Sequence, residues 1–165
     1  EIYTCEAEEK RGVLLSFVGN IFRKHCRRLL VKLNNDKDVI VKRGITDPPQ
    51  TLALASVFGA APRGDNLFTY RFTEQLSCGT IPVIYADGWV LPFRLDWSEA
   101  AVIIPERNAS QSIDILKAIP KEQRCRMRQR GLEIYEKYMK DAKGTIQGVV
   151  DRLELQVNAG TQDTA

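Results

Sequence analysis

Long hydrophobic runs are missing from this 165-residue sequence; none approaches the roughly 18 residues that cross a bilayer, so no segment reads as membrane-spanning. Histidine is nearly absent, with His25 alone, and none of the four cysteines (Cys5, Cys26, Cys78, Cys125) stands in a C-x-x-C pair. The spacing that marks a zinc site is lacking, and no metal site is expected. Such scattered cysteines read first as buried free thiols; a disulfide stays open for a secretory parent, though one sequence cannot pair them. An excess of charge is lacking too. The 24 Lys and Arg against 21 Asp and Glu leave a net +3, too little to argue for nucleic acid. The chain starts with Glu, and no charged-then-apolar leader precedes its first apolar run, so it reads as a domain excised from a longer protein.

What is present is an ordinary globular composition, 44% hydrophobic and 27% charged, which excludes a disordered, collagenous or low-complexity chain. Length predicts one domain, residues 1–157, followed by a small, polar, fraying tail at 158–165. Two basic runs stand out: Arg23-Lys24-His25-Cys26-Arg27-Arg28, and the alternate arginines Arg124, Arg126, Arg128 and Arg130. On a helix, alternate positions advance roughly 200° and divide between two faces. A solvated helix surface explains both runs better than a polyanion site, and His25 reads as a surface residue within the first.

Val13-Leu14-Leu15-Ser16-Phe17-Val18 is a continuous apolar run ending at Gly19, as in a strand buried on both faces. Ile21, Phe22, Cys26, Leu29, Leu30 and Leu33 are spaced for one apolar helix face, stopped by Asn34-Asn35-Asp36. Residues 38–42 read as a strand, 44–49 as loop, 51–55 as a short helix and 57–61 as a strand of small residues. A helix over 69–78 stops at Gly79, then strands follow at 81–85 and 101–104. From Ser110 onward the pattern is helical, first with Ile113, Leu116 and Ile119, then beyond Pro120 with Leu132, Tyr135 and Met139. Ile146, Val149, Val150, Leu153 and Val157 line one face of a last helix. Strands alternating with helices predict an α/β, Rossmann-like parallel sheet with helices on both faces, ending in long helices. Such sheets bind ligands beyond the carboxyl ends of their strands, where strand order reverses.

The chemistry concentrates after the third strand. Pro62-Arg63-Gly64-Asp65-Asn66 opens directly into a helix; Gly64 allows close backbone approach, and the free amides of a helix start favour an anion. Arg63 and Arg71 offer forked donors to a diphosphate. Glu74, an (i, i+3) neighbour of Arg71, suits a ribose diol, or else forms a surface ion pair with Arg71. Asp87, Trp89 and Glu106 lie beside the ends of the next two strands. Trp89 either stacks on a base or sugar or packs under the Pro92-Phe93 loop; Asp87 either reaches ligand or caps its turn; Glu106 either meets sugar hydroxyls or pairs with Arg107.

Those residues sit in an ordered series of motifs. Pro62-Arg63-Gly64 is followed by Phe68-Thr69-Tyr70-Arg71-Phe72-Thr73-Glu74, and then by Gly79-Thr80-Ile81-Pro82-Val83-Ile84. Asp87-Gly88-Trp89-Val90-Leu91-Pro92-Phe93, Leu95-Asp96-Trp97-Ser98 and Glu106 complete it. The series resembles the exostosin family of glycosyltransferases, most strongly from about Val57 to Glu106, and more loosely back to Leu14 and on to Leu153. The resemblance implies an inverting, metal-independent enzyme of the GT-B type, of which this chain matches the C-terminal, donor-binding half. It implies a nucleotide-sugar donor, usually UDP-linked, and a glycan acceptor, with no nucleic acid. The setting it implies is the lumen of the Golgi or endoplasmic reticulum, with a membrane-anchored parent that works as a homo- or hetero-oligomer. On the wider pattern of Glu74, Gly79, Pro82 and Val83, Glu74 holds the ribose while Arg63 and Arg71 hold the diphosphate. The donor-binding set is then Arg63, Gly64, Arg71, Glu74, Asp87, Trp89 and Glu106.

The sequence also departs from the family. Gly59 stands where exostosins commonly have cysteine, Arg43-Gly44 where a second often follows the preceding strand, and Gly79-Thr80 where Gly-Cys is usual. A family disulfide joining the first two regions is therefore missing. In the implied mechanism, arginines and helix-start amides meet the charge that develops on the departing diphosphate. Inversion needs a general base, expected from the other half, so the isolated domain is expected to be inactive. Two other readings remain: a non-catalytic exostosin-like subunit that stabilises an active transferase, and a basic module for polyanions.

Overall fold

Five runs of apolar residues build one parallel sheet: β1 (Val13–Gly19), β2 (Val39–Arg43), β3 (Ser56–Pro62), β4 (Ile81–Tyr85) and β5 (Val102–Ile103). The computed structural model describes Cys5 and residues 10–22, 24–44 and 50–162, with side chains to residue 156. Strand order is β2-β1-β3-β4-β5, so the chain steps outward from β1 to β2 and then crosses back to β3. Register runs Leu15 to Val39 and to Phe58, then Phe58 to Ile81 and Val83 to Val102. The reversal falls between β1 and β3, and their carboxyl ends frame the crevice that such sheets use for ligands.

Strand side chains alternate between faces, and the core divides accordingly. Leu15, Phe17, Phe58, Ala60, Ile81, Val83 and Tyr85 face helices α1 (His25–Val31) and α4 (Ser112–Lys117), through Cys26, Leu30 and Leu116. Ala61 and Ile84 face α3 (Tyr70–Ser77) and the end of α5 (Lys121–Ile134), through Phe72, Leu76, Trp97 and Ile134. Each face is covered, so the sheet is Rossmann-like as its apolar strands predict. The short helix α2 (Thr51–Leu54) precedes β3, and α6 (Ala142–Gln162) ends the described chain. Among the described residues no helix is long and apolar enough to cross a membrane. The predicted loop at 45–49 lies outside the described residues, as do 163–165 of the predicted tail; the backbone is helical to Gln162.

Strand β3 is buried along its whole length. Its small residues let α3 approach closely, and Gly59 is the point of tightest fit. A Cβ there would lie 2.5 Å from Cδ of Gln75, whose amide is pinned by donating to Ala60 O at 2.9 Å. At the opposite end of the strands Arg11, only 8% exposed, reaches Ser56 O at 2.7 Å, Cys78 O at 2.7 Å and Thr80 Oγ1 at 3.0 Å. One guanidinium thus joins the start of β3 to the turn between α3 and β4. Gly79 closes α3 at φ 62°, the left-handed geometry glycine adopts without strain.

Several expectations need correction. Cys5 and Cys125 form a disulfide across 120 residues, and only Cys26 and Cys78 are buried free thiols. Phe22 lies before the helix rather than on its apolar face, because α1 starts at His25; its ring is exposed and covered by Arg43 at 5.3 Å. On α6, Ile146, Val149, Val150 and Leu153 share one face as predicted, but that face is exposed. The helix packs with its other side, where a Cβ on Gly148 would meet the Phe93 ring at 2.6 Å and Tyr138 at 3.0 Å. Neither basic run is a uniformly solvated surface. Arg128 is 2% exposed and donates to Gly79 O at 3.1 Å, and Arg27 spans two loops as described below. Gly59→Ala is expected to destabilise the chain by about 1–3 kcal/mol. In a Gln75→Ala background the same change should cost close to nothing, and a denaturant double-mutant cycle measures the difference.

Candidate functional site

The reversal point is built by a side chain from the first basic run. Arg27, on α1, donates from Nη1 to Asn20 O at 2.7 Å, from Nε to Arg63 O at 3.1 Å and from Nη2 to Pro62 O at 3.2 Å. Its guanidinium also lies 5.4 Å from the centre of the Phe17 ring. The loops after β1 and β3, which diverge because the chain leaves the sheet in opposite directions there, are held together by this one group. Arg63 N–H adds a bond to Tyr85 O at 2.9 Å, which carries the β3–β4 pairing one residue beyond the strand.

Predicted site residues fall into two adjacent groups. In one, Arg71 Nη1 lies 2.7 Å from Glu74 Oε2, and both side chains line a hollow over β1 between α2 and α3. Ser16, Leu52, Ala53 and Gln75 also line it, and the hollow, partly open to solvent, has a volume of about 30 Å³. The ion-pair reading of Arg71 and Glu74 and the site reading therefore coexist: the pair forms, and it forms at a cavity. The first turn of α3 has no side-chain cap, since Thr69 makes no capping hydrogen bond.

In the second group, Arg63 Nη1 faces Glu106 Oε1 at 3.8 Å. Glu106 N–H donates to Asp87 Oδ1 at 3.1 Å, and Asp87 N–H returns a bond to Glu106 Oε1 at 3.3 Å. This reciprocal exchange locks the loop after β4 to the loop after β5. The partner of Glu106 is thus Arg63 rather than Arg107, and Asp87 bridges strands rather than capping its own turn. Arg63 does not line the hollow of Arg71 and Glu74. At Gly64 a Cβ would make ordinary contacts, the nearest being Arg27 Nη2, Phe68 O and Asn66 O at 3.8–3.9 Å, so no contact within the chain demands glycine.

Trp89 is half-buried in an edge-to-face cluster, 5.2 Å from Phe72 and 6.0 Å from Phe68. Its edge-to-face contacts fit the packing alternative. The support of the Pro92-Phe93 loop is instead Trp97, 2% exposed, whose Nε1 donates to Pro92 O at 2.9 Å. Sequence reasoning missed Arg27, Gln75 and Trp97. The unusual Gly59 was the available signal for Gln75; nothing in the sequence separates Arg27 from the cations beside it. His25 opens α1 as an exposed residue. Among the described residues no three of His, Cys, Asp and Glu gather as a metal site.

Beneath the second group lies the Cys26 thiol, with no exposed surface. Burial pushes it from the ordinary 9.0 up to about 11, and the neighbouring Glu106 carboxylate adds to the rise. Burial also pushes Cys78 upward. Both thiols therefore stay protonated and poorly nucleophilic near neutrality.

A parallel sheet with a clamped reversal point, and polar side chains gathered outside its carboxyl ends, defines an α/β domain of the Rossmann-like class. The solved structure of Anabaena HepE in complex with UDP-glucose has this fold; it superposes with a TM-score of 0.52 at 13% identity, over 96% of this chain and 44% of that one. Residues 5–119 match the exostosin GT47 domain, and the chain belongs to the exostosin family. It is 39% identical over 103 residues to Exostosin-1 of Drosophila melanogaster, covering 61% of this chain and 13% of that protein. To human Exostosin-2 it is 34% identical over 118 residues, covering 68% and 16%. The chain thus spans only about 13–16% of the length of these relatives.

The Cys26 environment sets an alkaline pH dependence. The unfolded thiol releases its proton above pH 9.0, whereas the folded one keeps it until about 11, so stability falls as pH rises between those values. Cys26→Ala should flatten that fall. Unfolding free energies across this range, for both proteins, measure it.

Proposed function

We propose that residues 1–157 form the nucleotide-sugar-binding half of an inverting glycosyltransferase of the GT-B type, with 158–165 as a tail. The donor is a UDP-sugar and the acceptor a glycan, in polysaccharide or glycoprotein synthesis, and transfer needs no metal. Family membership and the UDP-glucose named for the structural neighbour support this reading. The observation that carries it is the Arg71–Glu74 pair, 2.7 Å apart at a cavity over the carboxyl-terminal half of β1. A cation and an acceptor on one wall suit the two unlike parts of a nucleotide, its phosphates and its ribose.

On this reading Glu74 accepts hydrogen bonds from the ribose, and Arg71 turns toward the diphosphate. Arg63, from the neighbouring group, and the uncapped amides at the start of α3 meet the charge that grows on the leaving diphosphate. Gly64 keeps the backbone open where the phosphates pass. Arg27, by holding both loops, sets the distance between these groups before the donor arrives. The base that deprotonates the acceptor belongs to a second Rossmann-like half, so this chain alone transfers no sugar. The full protein is membrane-anchored, with this domain in the lumen of the Golgi or endoplasmic reticulum, and acts with a like or related transferase.

Isothermal titration of the chain with UDP tests this directly. UDP should bind with equal affinity in EDTA and in manganese. Arg71→Ala should weaken it by roughly a hundredfold, the loss of a charge-assisted contact to phosphate. Absence of heat with UDP and with every UDP-sugar contradicts the reading.

A further inference from the structure

Asp87 and Glu106 belong to the expected donor-binding set, yet the structure turns both toward the chain itself. Glu106 Oε1 accepts from Asp87 N–H at 3.3 Å, and Glu106 N–H donates to Asp87 Oδ1 at 3.1 Å. The Glu106 side chain is 22% exposed, and beneath it lies the buried Cys26 thiol. Its carboxylate therefore has few orientations left, and a charge so far removed from water needs a cation. The cation set against it is Arg63, with Nη1 at 3.8 Å from Oε1.

Arg63 is held firmly at its backbone and lightly at its head. Its N–H donates to Tyr85 O at 2.9 Å, and its carbonyl accepts from Arg27 Nε at 3.1 Å. That places the side chain at the carboxyl end of β3, on the border of the crevice. At 3.8 Å the contact with Glu106 is an ion pair without a formed hydrogen bond. It orients the guanidinium and uses none of its donors, and the side chain stays 30% exposed. An oriented fork with free donors suits the oxygens of a phosphate.

We propose that Glu106, itself held by Asp87, is a positioning residue for Arg63. The two carboxylates touch no part of the donor; they hold the guanidinium ready for the leaving diphosphate. This assignment rests on the donor-site reading, and it turns Asp87 and Glu106 from contacts into supports. A long side chain ordered beforehand spares the binding step that ordering cost. Direct repulsion between Glu106 and the phosphates works the other way, and the experiment reads which effect is larger.

Isothermal titration with UDP tests it on the unaltered chain, Glu106→Gln, Arg63→Ala and the double variant. Glutamine keeps Oε1 as an acceptor for Asp87 N–H and removes only the charge that faces Arg63. Glu106→Gln should weaken UDP about fivefold where Arg63 is present, and less than about twofold in the Arg63→Ala background. Asp87→Ala should weaken UDP to a similar extent, and Asp87→Asn, which keeps Oδ1, should recover most of that loss. A Glu106→Gln effect of equal size in both backgrounds overturns the assignment, since it marks direct contact with donor or a general structural role. Tighter UDP binding by Glu106→Gln, or unchanged binding, overturns it too. Should Glu106→Gln fail to fold, the unaltered chain still decides. Adding UDP should move the NMR signal of Arg63 Nε–H and leave the backbone amides of Asp87 and Glu106 in place; shifts of those two amides, or none at Arg63, overturn the assignment. Undiminished UDP binding by Arg63→Ala removes the positioning role and leaves the Arg71–Glu74 hollow standing. Failure of UDP to bind removes both.

Discussion

A single guanidinium reconciles two loops that the strand order drives apart. The chain must leave β1 toward one edge of the sheet and β3 toward the other, which opens a gap at their carboxyl ends. Backbone carbonyls at Asn20, Pro62 and Arg63 border that gap, and Arg27 donates to all three. Arginine suits the task because its donors lie in one rigid plane, where a lysine would offer a single point of charge. The position of Arg63 and the opening into α3 follow from this contact. So does the separation between the Arg71–Glu74 hollow and the Arg63–Glu106–Asp87 group.

The second constraint is the smallness of β3. With Gly59, Ala60 and Ala61 in its centre, the strand takes α3 close against it, and α3 carries Arg71, Glu74 and Gln75. Packing and polarity meet at Gly59: the missing side chain is replaced by the amide of Gln75, which donates to the neighbouring Ala60 carbonyl. Toward α1, β3 presents Phe58 and Ala60, and there the buried thiol of Cys26 fills space beneath Glu106. Both faces of the sheet thus carry an apolar core, and on the α3 face the polar side chains gather beside it.

Sequence alone carried the strands because strands buried on both faces are continuous apolar runs, and the runs ending at Gly19 and Tyr85 have no other reading. It also carried the motif order on which the family rests. It did not carry the charged residues of the interior. Arg27, Arg11 and Arg128 look like their solvated neighbours, and only the carbonyls they reach, most of them 35 to 67 residues away, set them apart. Pairing of Cys5 with Cys125 across 120 residues is equally a property of the fold. Of the site, Arg71 with Glu74 was legible as an (i, i+3) pair. The meeting of Arg63, Glu106 and Asp87 depends on strand neighbours that spacing does not reveal. The burial of Trp97 and its bond to Pro92 O were not read from the sequence, where it is one motif residue among several.

The central claim is that a nucleoside diphosphate lies across the clamped reversal point. Amide chemical-shift mapping of the isotope-labelled chain during addition of UDP reads this location residue by residue. The account predicts shifts confined to the ends of β1 and β3, residues 63–66, and the first two turns of α3. Shifts centred on the arginines of α5, or none at saturating UDP, would contradict it.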